Sequence, residues 1–562
     1  MKSLIIVLVM ILFFASCSKK EKSESSVVSA KDSKVSEVFK IVPANTDIVL
    51  KISNLEDLFK SLDIKPGEQN NGIDELNNQL GLSINSLDDL KNNGVDVKRD
   101  FVFMAKDFDK IDNEILFKMA ILVPSTDNEK LKNMIIDAIR SERSDMQIEE
   151  NEGCTVVNIN DADSPKIFIC EKDNYLALAF GTSRNVDGKS LALEIKNGNS
   201  SIMNDEEFAS ITKTVASGEQ FFTYLTFKNI NNKNFDFSNV DSGFNSFQDL
   251  SMTIKSLKEY KSLAFNLNFT SEDIHGISSI ELVEGSNTAK MMKNVKFDSS
   301  ALRGIELNPL LLVQFVVNPE FYYQNLMSTL AGDAKNSVEE SIKQFENEFG
   351  INLKADLVDN LSGSFNFGMF EGSSINMMNY NLASTFGIKN KSLAMETIDK
   401  LIETLDPSTK ALITKENVDG IETYVYTVGF SQIYIGVTND RIVIAPNKMF
   451  YKNAIRSGGK GYLDKVDSSL EPVLSGDNQL VYLNFNELLD ALKNFSAFVP
   501  TDANGKSYFS EENMTELKKL KYIIASSTIE GNNFNTIYKV ETDFKKPFFV
   551  GMKDVFKMLT SE

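Results

Sequence analysis

The chain has 562 residues, 42% hydrophobic and 25% charged, which is enough for several buried cores and unlike a disordered polymer. With 79 acidic against 59 basic residues the formal charge is −20, a balance that argues against nucleic acid as a partner and against broad contact with anionic lipid headgroups. One histidine and three cysteines leave no zinc site of the usual composition, and no cofactor is expected.

The first predicted element is an export signal. Met1-Lys2 gives a positive start and Leu4 to Phe14 is unbroken hydrocarbon. That run is far short of the roughly 20 residues a membrane-spanning helix needs. Ala15-Ser16 supplies the small residues of a cleavage site, and Cys17 comes at once after them. The arrangement resembles the lipobox of bacterial lipoproteins. In that family the signal is removed before the cysteine, which then carries acyl chains. The resemblance implies a signal over residues 1–16, lipidation at Cys17 and attachment to a membrane of the bacterial cell envelope. More than one acyl chain is needed for stable anchoring. Residues 17–37, rich in Ser, Lys and Glu, then read as the lipidated cysteine and a flexible tether.

Folded sequence begins near Val38, and its main signal is repetition. Gly94-Val95-Asp96-Val97-Lys98-Arg99-Asp100-Phe101 returns as Gly350-Ile351-Asn352-Leu353-Lys354-Ala355-Asp356-Leu357. Asn54-Leu55-Glu56-Asp57 returns at Asn318-Pro319-Glu320-Phe321, and Tyr224-Leu225-Thr226-Phe227 at Tyr482-Leu483-Asn484-Phe485. Between these marks each half has one plan. A strand (Ile48–Ile52; Leu311–Val317) leads to a helix capped by Asn54 or Asn318. Two strands come next (Phe101–Ala105 and Leu116–Val123; Ser364–Phe370 and Ala383–Ile388). An amphipathic helix succeeds them at Asp127–Ser141 or Lys391–Leu405, and then a three-strand meander (Cys154–Ile159, Ile167–Cys170, Tyr175–Phe180; Thr423–Val428, Gln432–Val437, Arg441–Ala445). A shorter helix (Asp205–Ser217; Ser468–Leu474), a strand and a terminal hairpin close each half. Tight turns between neighbouring strands imply antiparallel pairing. The expected fold is α+β, with two tandem homologous domains, residues 38–300 and 301–562, each a mainly antiparallel sheet with packed helices.

Cys154 and Cys170 flank the turn of one predicted hairpin. They read either as a cross-strand disulfide, permitted outside the cytoplasm, or as two small buried hydrophobes. The opening Val42-Pro43-Ala44-Asn45-Thr46-Asp47, with the glycine segment at Gly350 and Leu361-Ser362-Gly363-Ser364-Phe365, resembles uncharacterised bacterial envelope proteins grouped as domains of unknown function. That resemblance implies a duplicated antiparallel-sheet unit and an envelope location, with no activity attached.

The search for chemistry finds little. His275 falls in the predicted turn of the first terminal hairpin, and its counterpart turn has no histidine. No Gly-x-Ser-x-Gly elbow occurs. Ser457-Gly458-Gly459-Lys460-Gly461 lacks the phosphate-loop spacing, and Asn160-Asp161-Ala162-Asp163 is too short for a calcium loop. Asp100 and Asp356 recur at matching positions and read as turn aspartates bonding local backbone N–H groups. No catalytic residue is assigned, and the protein is not expected to be an enzyme. The expectation is a membrane-anchored, non-enzymatic binding or structural module with an envelope protein as partner. The alternative is a carrier of an apolar ligand or lipid in a groove between the two halves, lined by Phe and Met.

Overall fold

In a computed structural model the described residues are 35–545, apart from 58–86, 112–113, 143–144, 160–163, 184, 229–257, 270–272, 293–294, 296, 299, 331, 373–380, 430, 457–458, 477–478, 494–513 and 516. Among the described residues twenty strands form one antiparallel sheet. In the first half they are β1 (Ile48–Ile52), β2 (Phe101–Ile111), β3 (Glu114–Pro124), β4 (Met146–Asn151), β5 (Cys154–Ile159), β6 (Ile167–Lys172), β7 (Tyr175–Gly181), β8 (Phe221–Thr226), β9 (Tyr260–Phe269) and β10 (Asp273–Leu282). In the second they are β11 (Pro309–Val316), β12 (Leu361–Phe370), β13 (Leu382–Ile388), β14 (Ile413–Val418), β15 (Ile421–Val428), β16 (Ser431–Val437), β17 (Arg441–Ala445), β18 (Gln479–Asn484), β19 (Leu520–Glu530) and β20 (Asn533–Thr542).

The pairings run β4-β5-β6-β7-β3-β2-β1-β8-β9-β10 through the first half. Through the second they run β14-β15-β16-β17-β13-β12-β11-β18-β19-β20. Each strand of one run therefore has a counterpart at the same place in the other. The halves do not close separate sheets, as two independent domains would. They join edge to edge where β10 pairs with β20, from Asp273↔Glu541 to Glu281↔Asn533. The reason is physical: the last strand of either half would otherwise present an unpaired row of N–H and C=O groups.

The helices that shape the two faces of the sheet are α1 (Asn128–Glu142), α2 (Lys189–Asn197), α3 (Glu206–Ile211), α4 (Pro319–Thr329), α5 (Gly332–Phe349), α6 (Lys391–Thr404) and α7 (Lys448–Ala454). Alternate side chains of each strand face opposite sides of the sheet. On one side Val49, Met104, Phe222 and Tyr224 pack with Phe39, Leu191 and Ile195 of α2 and Phe208 of α3. In the second half, on the same side, Leu312, Phe370, Val443 and Tyr482 pack with Phe450 and Tyr451 of α7. Ring pairs tighten both cores, with Phe39–Phe208 at 5.2 Å and Phe370–Phe450 at 5.5 Å between centroids. On the other side lie the amphipathic helices α1 and α6.

Cys154 and Cys170, both buried, are joined by a disulfide. Thr155↔Ile169 pairing in β5 and β6 sets them opposite one another, with their Cα atoms 4.5 Å apart. A bridge closing a loop of this length stabilises by about 3 kcal/mol in the chain-entropy account. Replacing both cysteines with alanine is expected to lower the unfolding free energy by about 2–4 kcal/mol. Chemical denaturation of variant and parent checks this.

Candidate functional site

Cys17 and the tether before Val35 lie outside the described residues, as do Asn160–Asp163 and the Ser457-Gly458 start of the glycine-rich stretch. His275 is placed, and not in the turn its sequence suggests. β10 begins at Asp273, so His275 stands in the strand opposite Asn268 and Lys539. Its Nδ1 lies 3.3 Å from Asp273 Oδ1 and its Nε2 3.4 Å from Asn268 Nδ2. Asp356 keeps the local role read for it, accepting the Asn352 backbone N–H at 2.9 Å. Asp100 does not. Its carboxylate accepts hydroxyls from distant residues, Ser53 at 2.5 Å and Ser36.

That difference is set by Lys51. Its side chain is wholly buried at the end of β1, donating to Ser53 Oγ and, at 2.6 Å, to the Glu219 carbonyl, with Asp100 3.8 Å away. Burial pushes the ammonium down to about 8, against a smaller opposing pull from Asp100 and Glu219. In the second half the strand register puts the uncharged Gln314, opposite Leu480, where Lys51 stands opposite Phe222. The cluster therefore belongs to one half. It ties β1, the Asp100 turn and the Ser36 entry together.

A cleft of about 640 Å³ lies between α6 and the sheet of the second half. Asn390 caps α6 by accepting the Leu393 N–H at 3.1 Å, and this fixes which face of the helix turns inward. Ile398, Leu401 and Ile402 form that wall. The opposing wall is built by strand periodicity. Phe386 of β13 sits against Ile442 of β17, Ile444 against Ile435 of β16, Ile435 against Tyr424 of β15, and Tyr426 against both Ile433 and Ile413. β-Branched side chains suit such a pleated face. Phe349, the last residue of α5, and Leu357 close one end.

Several polar groups at the cleft bond to one another or to nearby backbone. Asn360 accepts the Asn390 N–H at 2.8 Å and donates to the Asn390 carbonyl at 3.1 Å. Thr397 donates to the Leu393 carbonyl at 2.8 Å. Tyr424 donates to Asp399 at 3.0 Å, and burial, then that carboxylate, push its phenol up to about 12. Lys415 bonds Asp399 at 2.8 Å and lies 4.8 Å over the Tyr424 ring, its ammonium held above the usual range chiefly by Asp399. These bonds leave hydrocarbon as the surface offered to a ligand. Among the described residues no cluster of three or more His, Cys, Asp or Glu side chains is placed to hold a metal.

The same side of the first half is filled. Leu131 of α1 is 0% exposed, and with Met119, Val157, Ile167, Ile169 and Leu176 it belongs to a cluster of eleven buried residues. The matching cluster of the second half has three: Ile388, Ala394 and Val437. The sequence suggests an apolar groove between the halves. The cleft described here lies within one of them.

Such a fold and site define an α+β protein built on one long antiparallel sheet, with a single-sided apolar cleft of ligand-binding size. The chain belongs to the family described as "Protein of unknown function (DUF3352)", whose model matches residues 3–530. No curated protein matches it. Among solved structures it is similar to crystal forms I, III and IV of TP0453 at 10–11% identity, with TM-scores of 0.24–0.25. Those matches cover 44% of this chain and 79–81% of that one, and are too distant to carry an argument.

This geometry has two measurable outcomes. Leu131→Ala is expected to cost about 2–5 kcal/mol, as in a filled core, whereas Leu401→Ala at the cleft wall costs about 1 kcal/mol or less. Equal losses in thermal or denaturant unfolding would show that the cleft is packed. For Lys51, the folded state binds fewer protons than the unfolded state between about 8 and the ordinary 10.5. Stability therefore rises with pH across that window, by roughly 3 kcal/mol. Lys51→Met is expected to lack that slope in denaturation curves taken from pH 8 to 10.5.

Proposed function

We propose that this protein is a bacterial envelope lipoprotein, anchored through acyl chains on Cys17, that works as a non-enzymatic binding module for an apolar ligand. The cleft of about 640 Å³ carries the reading. Its volume falls in the range of small-molecule sites, about 300–1,000 Å³. With its polar groups bonded to one another, affinity comes from removing hydrocarbon from water, at about 0.8 kcal/mol per buried methylene. A lipid chain suits such a surface better than a polar metabolite, which would leave its own donors and acceptors unpaired.

The anchor rests on the sequence around Cys17, and none of the described helices is long and apolar enough to cross a membrane. We further infer that the two halves arose by duplication of one unit, supported by their matching strand order and the recurring Gly94 and Gly350 segments. After duplication one copy kept its outer face filled while the other opened. The non-enzymatic reading is supported by the absence of a nucleophile elbow from the sequence and by the largely hydrocarbon lining of the cleft.

Native mass spectrometry of protein isolated from its own membranes tests this. A lipid that is held under native conditions and lost on denaturation is expected, and Ile398→Trp, which fills the cleft, should abolish it. Acyl mass on Cys17 should survive denaturation and disappear in Cys17→Ser. Protein that is always empty, and that takes up no added long-chain alcohol, would sink the ligand reading.

A further inference from the structure

Three large apolar side chains stand exposed at one corner of the cleft: Leu412 at 40%, Val428 at 51% and Ile433 at 39%. Pairing brings them together. Ile413 opposes Tyr426, Tyr426 opposes Ile433, and Val428 opposes Ser431, while the Thr427 N–H donates to the Leu412 carbonyl at 2.8 Å. All three therefore sit at the same end of β14, β15 and β16. Val428 continues the row of Tyr424 and Tyr426 that lines the cleft, two residues apart along one strand face. Ile433 belongs to the lining and to the exposed corner at once. The corner is thus the rim of the cleft itself.

The charge pattern says what the rim faces. In a chain that is 25% charged, residues 423–439 carry no charged side chain at all, and neither do 411–414. Both stretches contain the rim. A soluble protein partner of ordinary composition would bring charged groups to such a contact, and neither stretch carries a charge of its own to pair them. An anionic bilayer is also disfavoured, since the molecule as a whole is strongly negative. Exposed aliphatic side chains beside tyrosines on an uncharged surface match the interfacial zone of a zwitterionic bilayer, where aromatic rings of this kind concentrate.

We infer that the rim formed by Leu412, Val428 and Ile433 inserts into a zwitterionic lipid surface, so that an acyl chain passes between bilayer and cleft without crossing water. This rests on the apolar-ligand reading for its purpose, but the contact itself is tested separately. A lipid anchor at Cys17 would hold the molecule near the surface without fixing which side faces it. A second, shallow apolar contact would supply the orientation.

The chain has no tryptophan, so one introduced at the rim reports its surroundings alone. In the lipidated protein on phosphatidylcholine vesicles with brominated acyl chains, Val428→Trp emission is expected to shift to the blue. It should also be quenched about twofold or more, as for a residue at the headgroup–acyl boundary. Val283→Trp, also exposed but in the other half, should be quenched little. Equal quenching at the two positions would overturn the inference. A second variant, Leu412→Asp with Val428→Asp, both outside the cleft lining, should slow uptake of an acyl probe from vesicles severalfold while leaving uptake from monomeric solution unchanged; unchanged rates from both would also overturn it. If the cleft reading alone is wrong, no probe is taken up from either source, yet Val428→Trp is still quenched.

Discussion

The pairing of β10 with β20 is the constraint on which the molecule depends. Each half is a run of strands whose final hairpin ends in a full-length row of backbone donors and acceptors. Left in water such a row recruits other chains. The two rows satisfy each other from Asp273↔Glu541 to Glu281↔Asn533, and the side chains along the seam suit a polar contact. Ser279 donates to Asn535 at 2.6 Å, and the Ser278 and Tyr538 hydroxyls lie 3.1 Å apart. The outermost strands of the described sheet are β4 and β14. All of β4 but Met146 is exposed and four of its six residues are polar, and β14 carries Lys415 and Glu416, which discourages further pairing.

With the edges settled, the two sides of the sheet have different tasks. One is packed in both halves by short helices and aromatic rings. The other differs between halves. There α1 sinks Leu131 into a full core, whereas α6 stands off a wall of isoleucines. The difference lies in the inward positions, since both helices are amphipathic, of similar length, and come after the same pair of strands. Buried hydrocarbon contacts that the second half forgoes are a standing cost of several kcal/mol, of the size that core truncations report. A filled ligand site would recover it.

Much of this is legible in the chain. The cap at Asn318 marks where α4 starts, apolar periodicity places α6 nearly to the residue, and the meanders appear where alternation predicts them. The elements that escape a reading of the sequence are those whose signal is not apolar. β4, Met-Gln-Ile-Glu-Glu-Asn, and β14 look like surface loops because edge strands carry polar residues by necessity. The plan read from the sequence does not include α5. The continuous sheet is hidden as well, since nothing in β10 or β20 alone says that each completes the other. The cleft is foreshadowed only as a kind of surface. Its walls are recognisable as strands and a helix, but whether a helix sits down on a sheet or stands off it depends on packing between elements, which periodicity does not report. The burial of Lys51 is equally invisible, because a lysine in a short strand normally reaches solvent.

The seam has one more consequence. A protease that cut the chain between β10 and β11 would not produce two separate molecules. Each fragment would expose a newly unpaired row of peptide groups, on β10 or on β20, and its best partner would be the complementary row on the other fragment. The nicked protein would stay together, held by backbone bonds between two strands that lie far apart in sequence, and a copy cut in this way would still present its cleft.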